Sequence, residues 1–318
     1  MNISDTRIAA PPSAGIGKLH RMLRDLRLNK YLYIMILPVI AFYLVFCYAP
    51  MYGVIIAFKD FAPMKGIMGS RWVGLLYFRQ FFTSIYAWRT IRNTLLLSIY
   101  SLLWGFPAPI LLALLLNEVK HIAFKKVVQT VTYLPHFISL IVACGLIVNF
   151  TQQQGLINNL IAMLGGQRVL FLQKPEWFRT IYIGSGIWQE IGWGSIIYLA
   201  ALGGIDTELY EAAAMDGAGR WKQTIHVTLP GIMPTIVILL IMNIGHLMSV
   251  GYEKVILLYN PLTYTTADII SSFVYRMGLQ NFNYGYATAV GLFNSVVNLV
   301  LLVAANFISR KVNETSLW

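Results

Sequence analysis

Six long stretches of this chain carry little charge, and a polypeptide with that pattern has few ways to fold. They run from Leu32 to about Phe58, Thr94 to about Leu116, Val127 to about Phe150, Ile181 to about Leu202, Ile232 to about Leu258 and Tyr286 to about Ile308. Each reaches the ~20 apolar residues that a helix needs to cross a bilayer. Hydrocarbon offers backbone N–H and C=O groups no water, so a spanning segment closes its hydrogen bonds internally. Prolines and glycines inside these runs (Pro38, Pro50, Pro107, Pro109, Pro135, Gly192, Gly194) are compatible with spanning helices, where neighbours re-satisfy the freed groups. Composition agrees: 12% of residues are charged, against about 25% in a soluble domain. The expected fold is an all-α integral membrane protein with six transmembrane helices.

A net charge of +11 in such a chain points to anionic headgroups rather than nucleic acid, since no basic-aromatic stripe accompanies it. Cys47 and Cys144 both sit in apolar runs, which predicts packing and neither a disulfide framework nor a metal cluster. Residues 1–30 form a basic N-terminal segment. In it Leu19, Leu23 and Leu26 oppose Arg21, Arg24 and Arg27, as in a helix lying on the cytoplasmic face. The apolar run that follows is too long for a cleavable signal and lacks a small-x-small processing site. The six-helix membrane domain is 31–310, with a polar loop at 204–234, and 311–318 is a tail. With the N-terminus inside, 118–126, 204–230 and the tail face the cytoplasm. Thirteen of the 24 Lys and Arg then lie inside, with most of the bias coming from the N-terminal segment and the 118–126 loop.

The polar loop has its own internal logic. Asp206 is placed to N-cap a helix whose first turns carry Glu208 and Glu211, where the dipole favours negative charge. Ala212, Ala213 and Ala214 propagate it, and Gly217 suits a left-handed cap after Met215 and Asp216. A second short helix fits Ala218 to Thr228, with Trp221, Ile225 and Leu229 on one face and Pro230 and Pro234 closing it. Taken by itself, this is either an interfacial linker between two spans or a hairpin presented to something outside the membrane.

Enzyme signatures are missing: there is no G-x-x-x-x-G-K-[ST], no H-E-x-x-H and no G-x-S-x-G. The chain is expected to bind no cofactor or metal; its five histidines lack ligand spacing. Polar groups inside spans are costly and normally face a cavity or a partner. Trp188, Gln189, Glu190 and Trp193 combine aromatic faces with hydrogen-bonding groups, as sugars require, and equally fit interface aromatics beside a paired Glu190. Asn149, with Gln152 to Gln154, lines the same outer mouth or ends a solvated helix. Asn243, His246 and Glu253 fit either a substrate path or buried structural bonds, and Asn294 with Asn298 fit a helix–helix contact.

The order Glu211-Ala212-Ala213, Gly217, Val227, Leu229-Pro230 resembles the cytoplasmic coupling loop of permease subunits of bacterial ATP-binding-cassette importers, with Val227 where Ile is more usual. The segments Tyr48-Ala-Pro50-Met-Tyr-Gly53, Arg92-Asn93-Thr94-Leu95, Leu134-Pro135-His136-Phe137-Ile138-Ser139 and Ile196 to Asp206 are similar to the polysaccharide or oligosaccharide branch of the maltose-type (type I) permeases. The resemblance implies a multi-pass subunit of the bacterial cell membrane with both termini cytoplasmic, taking up oligosaccharides or polysaccharide fragments. It implies a second related permease, two ATPase subunits that hold ATP and magnesium, and an external solute-binding protein. Glu211, Ala212, Ala213, Asp216, Gly217 and Ala218 would dock on an ATPase. The rival reading is a stand-alone ion-coupled transporter with Glu190, Glu253 or His246 as proton carrier, though no clear internal repeat supports it.

Overall fold

The structure, a computed structural model, describes residues 28–245, 247–248 and 250–313. Residues 18–27 of the basic helix expected from Lys18 to Lys30, His246 and the last five residues of the tail lie outside them. The chain forms two compact units, the first ending at Ile55 and the second starting at Ile56. Helix α1 (Lys30–Phe58) runs through the first. The second opens with strands β1 (Lys59–Asp60) and β2 (Arg71–Trp72), antiparallel with Lys59 opposite Trp72. Helices α2 (Leu76–Thr83), α3 (Ile85–Glu118), α4 (Ile122–Tyr133), α5 (Leu140–Thr151) and α6 (Leu156–Met163) follow. After them come α7 (Pro175–Leu202), α8 (Thr207–Met215), α9 (Arg220–Gly245), α10 (Tyr252–Leu258), α11 (Ile270–Tyr275) and α12 (Tyr284–Asn313).

Among the described residues five helical stretches are long and apolar enough to cross a membrane: α1, α3, Leu140–Met163, α9 and Tyr284–Ile308. The expected fourth span, α7, is 28 residues long, or about 42 Å at 1.5 Å per residue. Its length suffices, but Gln189, Glu190 and its glycines make it less apolar than the others.

Prolines are handled in a repeated way. A π-helical turn stands just upstream of Pro50 (Tyr43–Tyr48), of Pro107 (Ser101–Gly105) and of Pro230 (Thr224–Thr228). The carbonyl four residues before each proline belongs to Phe46, Leu103 or His226, inside the widened turn every time. A proline ring clashes with that carbonyl and offers no N–H. One extra residue in the turn relieves the clash and lets the helix continue. Pro230 therefore does not close a second loop helix, as its position in sequence suggests, and neither does Pro234, which lies inside the same helix. Arg220 to Gly245 is one helix.

Two of the expected spans are broken. The stretch Val127–Phe150 divides at Pro135, where a 3-10 turn (Leu134–Phe137) separates α4 from α5 and Ser139 caps the latter through Val142 N. The freed Ile138 carbonyl accepts from Gln189 Nε2 at 3.2 Å. The stretch Ile232–Leu258 divides after Gly245. There Leu247 O accepts from Ser98 Oγ, Met248 N donates to Asn298 Oδ1 (2.9 Å) and Met248 O accepts from Asn294 Nδ2 (3.2 Å). Asn294 and Asn298, expected at a helix–helix contact, instead grip the backbone of this break. Periodicity does not register such breaks, because the residues around them stay apolar.

Three apolar clusters hold the second unit together. One joins α2, α11 and α12 through Phe81, Phe273, Tyr286 and Val290. Another gathers Leu97, Cys144, Phe178, Val255, Leu258 and Ile269, so Cys144 packs as a small apolar group. The last joins α3, α7 and α9 through Ile110, Ala113, Tyr198, Leu202 and Ile232. Helix α7 lies against α3, α4 and α9, and its glycines allow the approach. A Cβ on Gly192 would fall 2.1 Å from Thr132 O and 2.9 Å from Tyr133 Cδ1, whereas one on Gly184 meets nothing within 4 Å. Gly192→Ala is expected to cost about 1–3 kcal/mol of overpacking, read as a lowered thermal unfolding midpoint of the purified protein in detergent. Gly184→Ala leaves that midpoint unchanged or slightly raised, and equal midpoints for the two variants would refute the packing argument.

Candidate functional site

A cavity of about 500 Å³ lies between α3, α7, α9 and the break that follows α9. Its size is in the range of small-molecule sites. Helix α7 presents Tyr182, Gly186, Glu190, Gly194 and Tyr198 to it at four-residue spacing, with Ile183, Ile187 and Ile191 beside them. Helix α3 adds Ser98, Ser101, Phe106 and Pro109, and α9 adds Leu239 and Asn243. The wall is apolar and aromatic with few polar groups, an arrangement that orients a ligand by a small number of hydrogen bonds.

Two of the expected path residues, Glu190 and Asn243, reach this cavity. Asn243 Nδ2 also donates to Leu239 O at 2.8 Å. Glu190 finds its partner on the α4–α5 break: His136 Nδ1 donates to its carboxylate at 3.0 Å. The imidazole in turn stacks on Trp193, centroids 4.4 Å apart and planes 2° off parallel. Glu190 is thus paired, as one of the two readings has it, and it also lines the cavity. The cluster around it divides. Gln189 is buried and serves the Ile138 carbonyl, Trp193 braces His136, and Trp188 lies on the helix face away from the cavity stripe. Asn149 is exposed and bonded to Gln152 (3.0 Å), and Glu253 is exposed, so neither lines the cavity. His136 was missed in sequence as a functional residue; the usable signal was that an acid inside a span requires a partner.

Beyond the cavity, α3, α7 and the 264–276 segment meet at a buried polar node. Asp268 is fully buried and accepts from Arg89 (3.2 Å), Arg276 (2.7 and 3.1 Å) and Ser272 (3.0 Å). Asn93, also buried, donates to the carbonyls of Thr265 (3.0 Å) and Asp268 (3.2 Å) and accepts from Arg179 of α7 (3.0 Å). The backbone that leaves α-geometry here is thus held from two helices.

At the loop between α7 and α9, Asp206 Oδ1 accepts from Glu208 N (3.0 Å) and starts α8. The helix stops in a Schellman motif: Ala218 N donates to Ala213 O (2.9 Å) and Gly217 N to Ala214 O (3.0 Å), with Gly217 at φ +76°. Tyr210 Oη bonds Thr228 Oγ1 at 3.0 Å, tying α8 to α9, and Arg220 reaches Glu118 at the end of α3 (3.7 Å). Glu211, Ala212, Asp216 and Gly217 are exposed, and Ala213 and Ala218 are half-buried. The same knuckle exposes apolar bulk: Leu209, Met215 (89%) and Trp221 (76%).

Comparison with known proteins gives the following. Residues 81–314 match the model of the binding-protein-dependent transport system inner membrane component. Protein LplB of Bacillus subtilis (strain 168) is 45% identical over 308 residues, covering 96% of this chain and 97% of that one. The polygalacturonan/rhamnogalacturonan transport system permease protein YteP of the same organism is 47% identical over 302 residues, covering 95% and 94%. A solved structure of a bacterial ABC transporter involved in the import of the acidic polysaccharide alginate contains a chain 48% identical to this one. The two superpose with a TM-score of 0.87, covering 92% of this chain and 99% of that one. The same likeness, TM-score 0.87, holds for the alginate transporter in complex with an alginate pentasaccharide-bound periplasmic protein.

The Asp268 node lends itself to a direct test. Asp268→Asn leaves Arg89 and Arg276 facing each other without a counter-charge, and breaking a buried pair this way costs about 3 kcal/mol or more. The expected result is loss of folded protein, or a strongly lowered unfolding midpoint. Glu253→Gln, at an exposed acid, leaves yield and midpoint at wild-type values.

Proposed function

The chain belongs to the family of binding-protein-dependent transport system inner membrane components, and on that premise we propose how its parts serve import. It is a transmembrane permease subunit of a carbohydrate ABC importer in the cell membrane, a transport subunit whose ATPase is a separate chain. Its cargo, in our reading, is an oligosaccharide or polysaccharide fragment that passes through the cavity between α3, α7 and α9. The relatives named for transport of polygalacturonan/rhamnogalacturonan and for alginate import favour fragments bearing carboxylates. A periplasmic binding protein delivers the cargo, a second related permease closes the other side of the pathway, and two cytoplasmic ATPases hold the ATP. No cofactor is assigned to this chain itself. In this scheme α7 is the fourth of six spans and both termini are cytoplasmic.

The observation that carries the coupling role is the continuity of α9. It runs from Arg220, beside the Gly217 bend, to Asn243 at the cavity and ends at Gly245. That is 26 residues, roughly 39 Å of continuous helix at 1.5 Å per residue. Motion imposed on the knuckle reaches the cavity wall along a single helix. Exposed Glu211, Met215 and Trp221 give the knuckle one charge and two apolar anchors, which suit insertion into a groove on an ATPase. The relatives favour this reading over a stand-alone ion-coupled carrier. Of the groups on which that rival depended, Glu190 is paired with His136, and Glu253 is exposed and outside the cavity lining.

Gly217 at φ +76° tolerates no proline, whose φ is held near −65°. Gly217→Pro and Glu211→Ala are expected to lower ATP-dependent uptake at least tenfold in the reconstituted four-subunit transporter. Cargo-stimulated ATPase falls with it, and the permease pair stays assembled. Wild-type coupling in both variants would remove the loop from the mechanism.

A further inference from the structure

Lys254 on α10 is 92% buried by its 8% residue exposure, and among the described residues it forms no ion pair. Its ammonium donates to Tyr182 O at 3.1 Å and lies 4.9 Å from the centre of the Tyr182 ring. A lysine ammonium has three donors, and burying it without a counter-charge is expensive. The position therefore calls for an anion that none of the described residues supplies. Glu253 next to it is exposed, and Glu190 is engaged by His136.

The ammonium stands directly behind the cavity wall. Tyr182 and Gly186, which adjoin it from α7, both line the cavity. At Gly186 the wall is bare backbone: a Cβ built there would come to 3.4 Å from Lys254 Nζ. The absence of a side chain at 186 leaves a window through which a group in the cavity meets the charge. Glu190 lies one helical turn further along the same stripe. The cavity thus offers a cation at one level and a hydrogen-bond acceptor, with the His136–Trp193 stack behind it, at the next.

We propose that Lys254 is the specificity-determining residue of this cavity, binding a carboxylate of an acidic oligosaccharide through the opening at Gly186. The inference rests on the import reading above and extends it from a class of cargo to the residue that reads its charge. An uncharged sugar of the same shape leaves the ammonium unpaired, so the preference for acid arises as much from that penalty as from the attraction.

The test uses the complete reconstituted transporter with one solute-binding protein and two probes, trigalacturonate and its fully methyl-esterified form. The binding protein's own preference is common to all variants and cancels when acid-to-ester uptake ratios are compared. Lys254→Gln and Lys254→Met are expected to lower that ratio at least tenfold, with acid uptake reduced and ester uptake at or above wild type. Lys254→Arg keeps the ratio within about threefold of wild type. An unchanged ratio in the Gln and Met variants, or an equal fall for both probes, would overturn the assignment and leave Lys254 a packing residue. Wild-type particles that import neither probe with ATP would overturn the acidic-cargo reading and this inference with it, an outcome distinct from a mutant-specific effect.

Discussion

Where a chain packed among apolar helices leaves helical geometry, its backbone N–H and C=O groups must find new partners, because no water reaches them. At three such places among the described residues the requirement is met with a side chain from another helix. Gln189 of α7 serves the break at Ile138; Ser98 of α3 with Asn294 and Asn298 of α12 serve the break at Leu247 and Met248. Asn93 and Thr94 of α3 serve the backbone from Tyr264 to Ile270. The breaks are what admit polar groups into the bundle, and the cavity lies among them.

That arrangement explains why the cavity has both an apolar wall and a few fixed charges. Glu190 is tolerable on α7 because the Pro135 break delivers His136 within hydrogen-bond distance. Lys254 is carried by a short helix that exists only because the chain broke after Gly245. Uninterrupted helices would have placed both segments differently. On the opposite side of the same economy, large apolar residues such as Leu111, Leu115, Val131, Leu299 and Val300 are exposed on α3, α4 and α12. Faces of that kind are expected where lipid or another membrane chain completes the packing.

Helix α9 unites two requirements that pull against each other. Its apolar body must span, while its first turns must stand in water beside a Schellman bend at Gly217. Pro230 falls between the two, and the π turn at Thr224–Thr228 lets the helix continue past it. The helix consequently stays continuous from knuckle to cavity, which a lever needs and which a proline break would have interrupted.

Sequence by itself determined the membrane class, the run of apolar helices and the local design of the knuckle. Those properties depend on residue type and near-neighbour order: hydropathy summed over about 20 residues, Asp206 as a cap, Gly217 where only a left-handed bend works. It also singled out Glu190 and Asn243, since a polar group in an apolar run always demands an account. Only the tertiary structure decided which prolines bend and which break, for Pro135 interrupts a span while Pro107 and Pro230 do not. It alone paired Glu190 with His136, 54 residues away, set Asp268 between two arginines and put Lys254 behind Gly186. Those outcomes rest on side chains brought together from distant helices, and periodicity within one segment carries no record of what lies across from it.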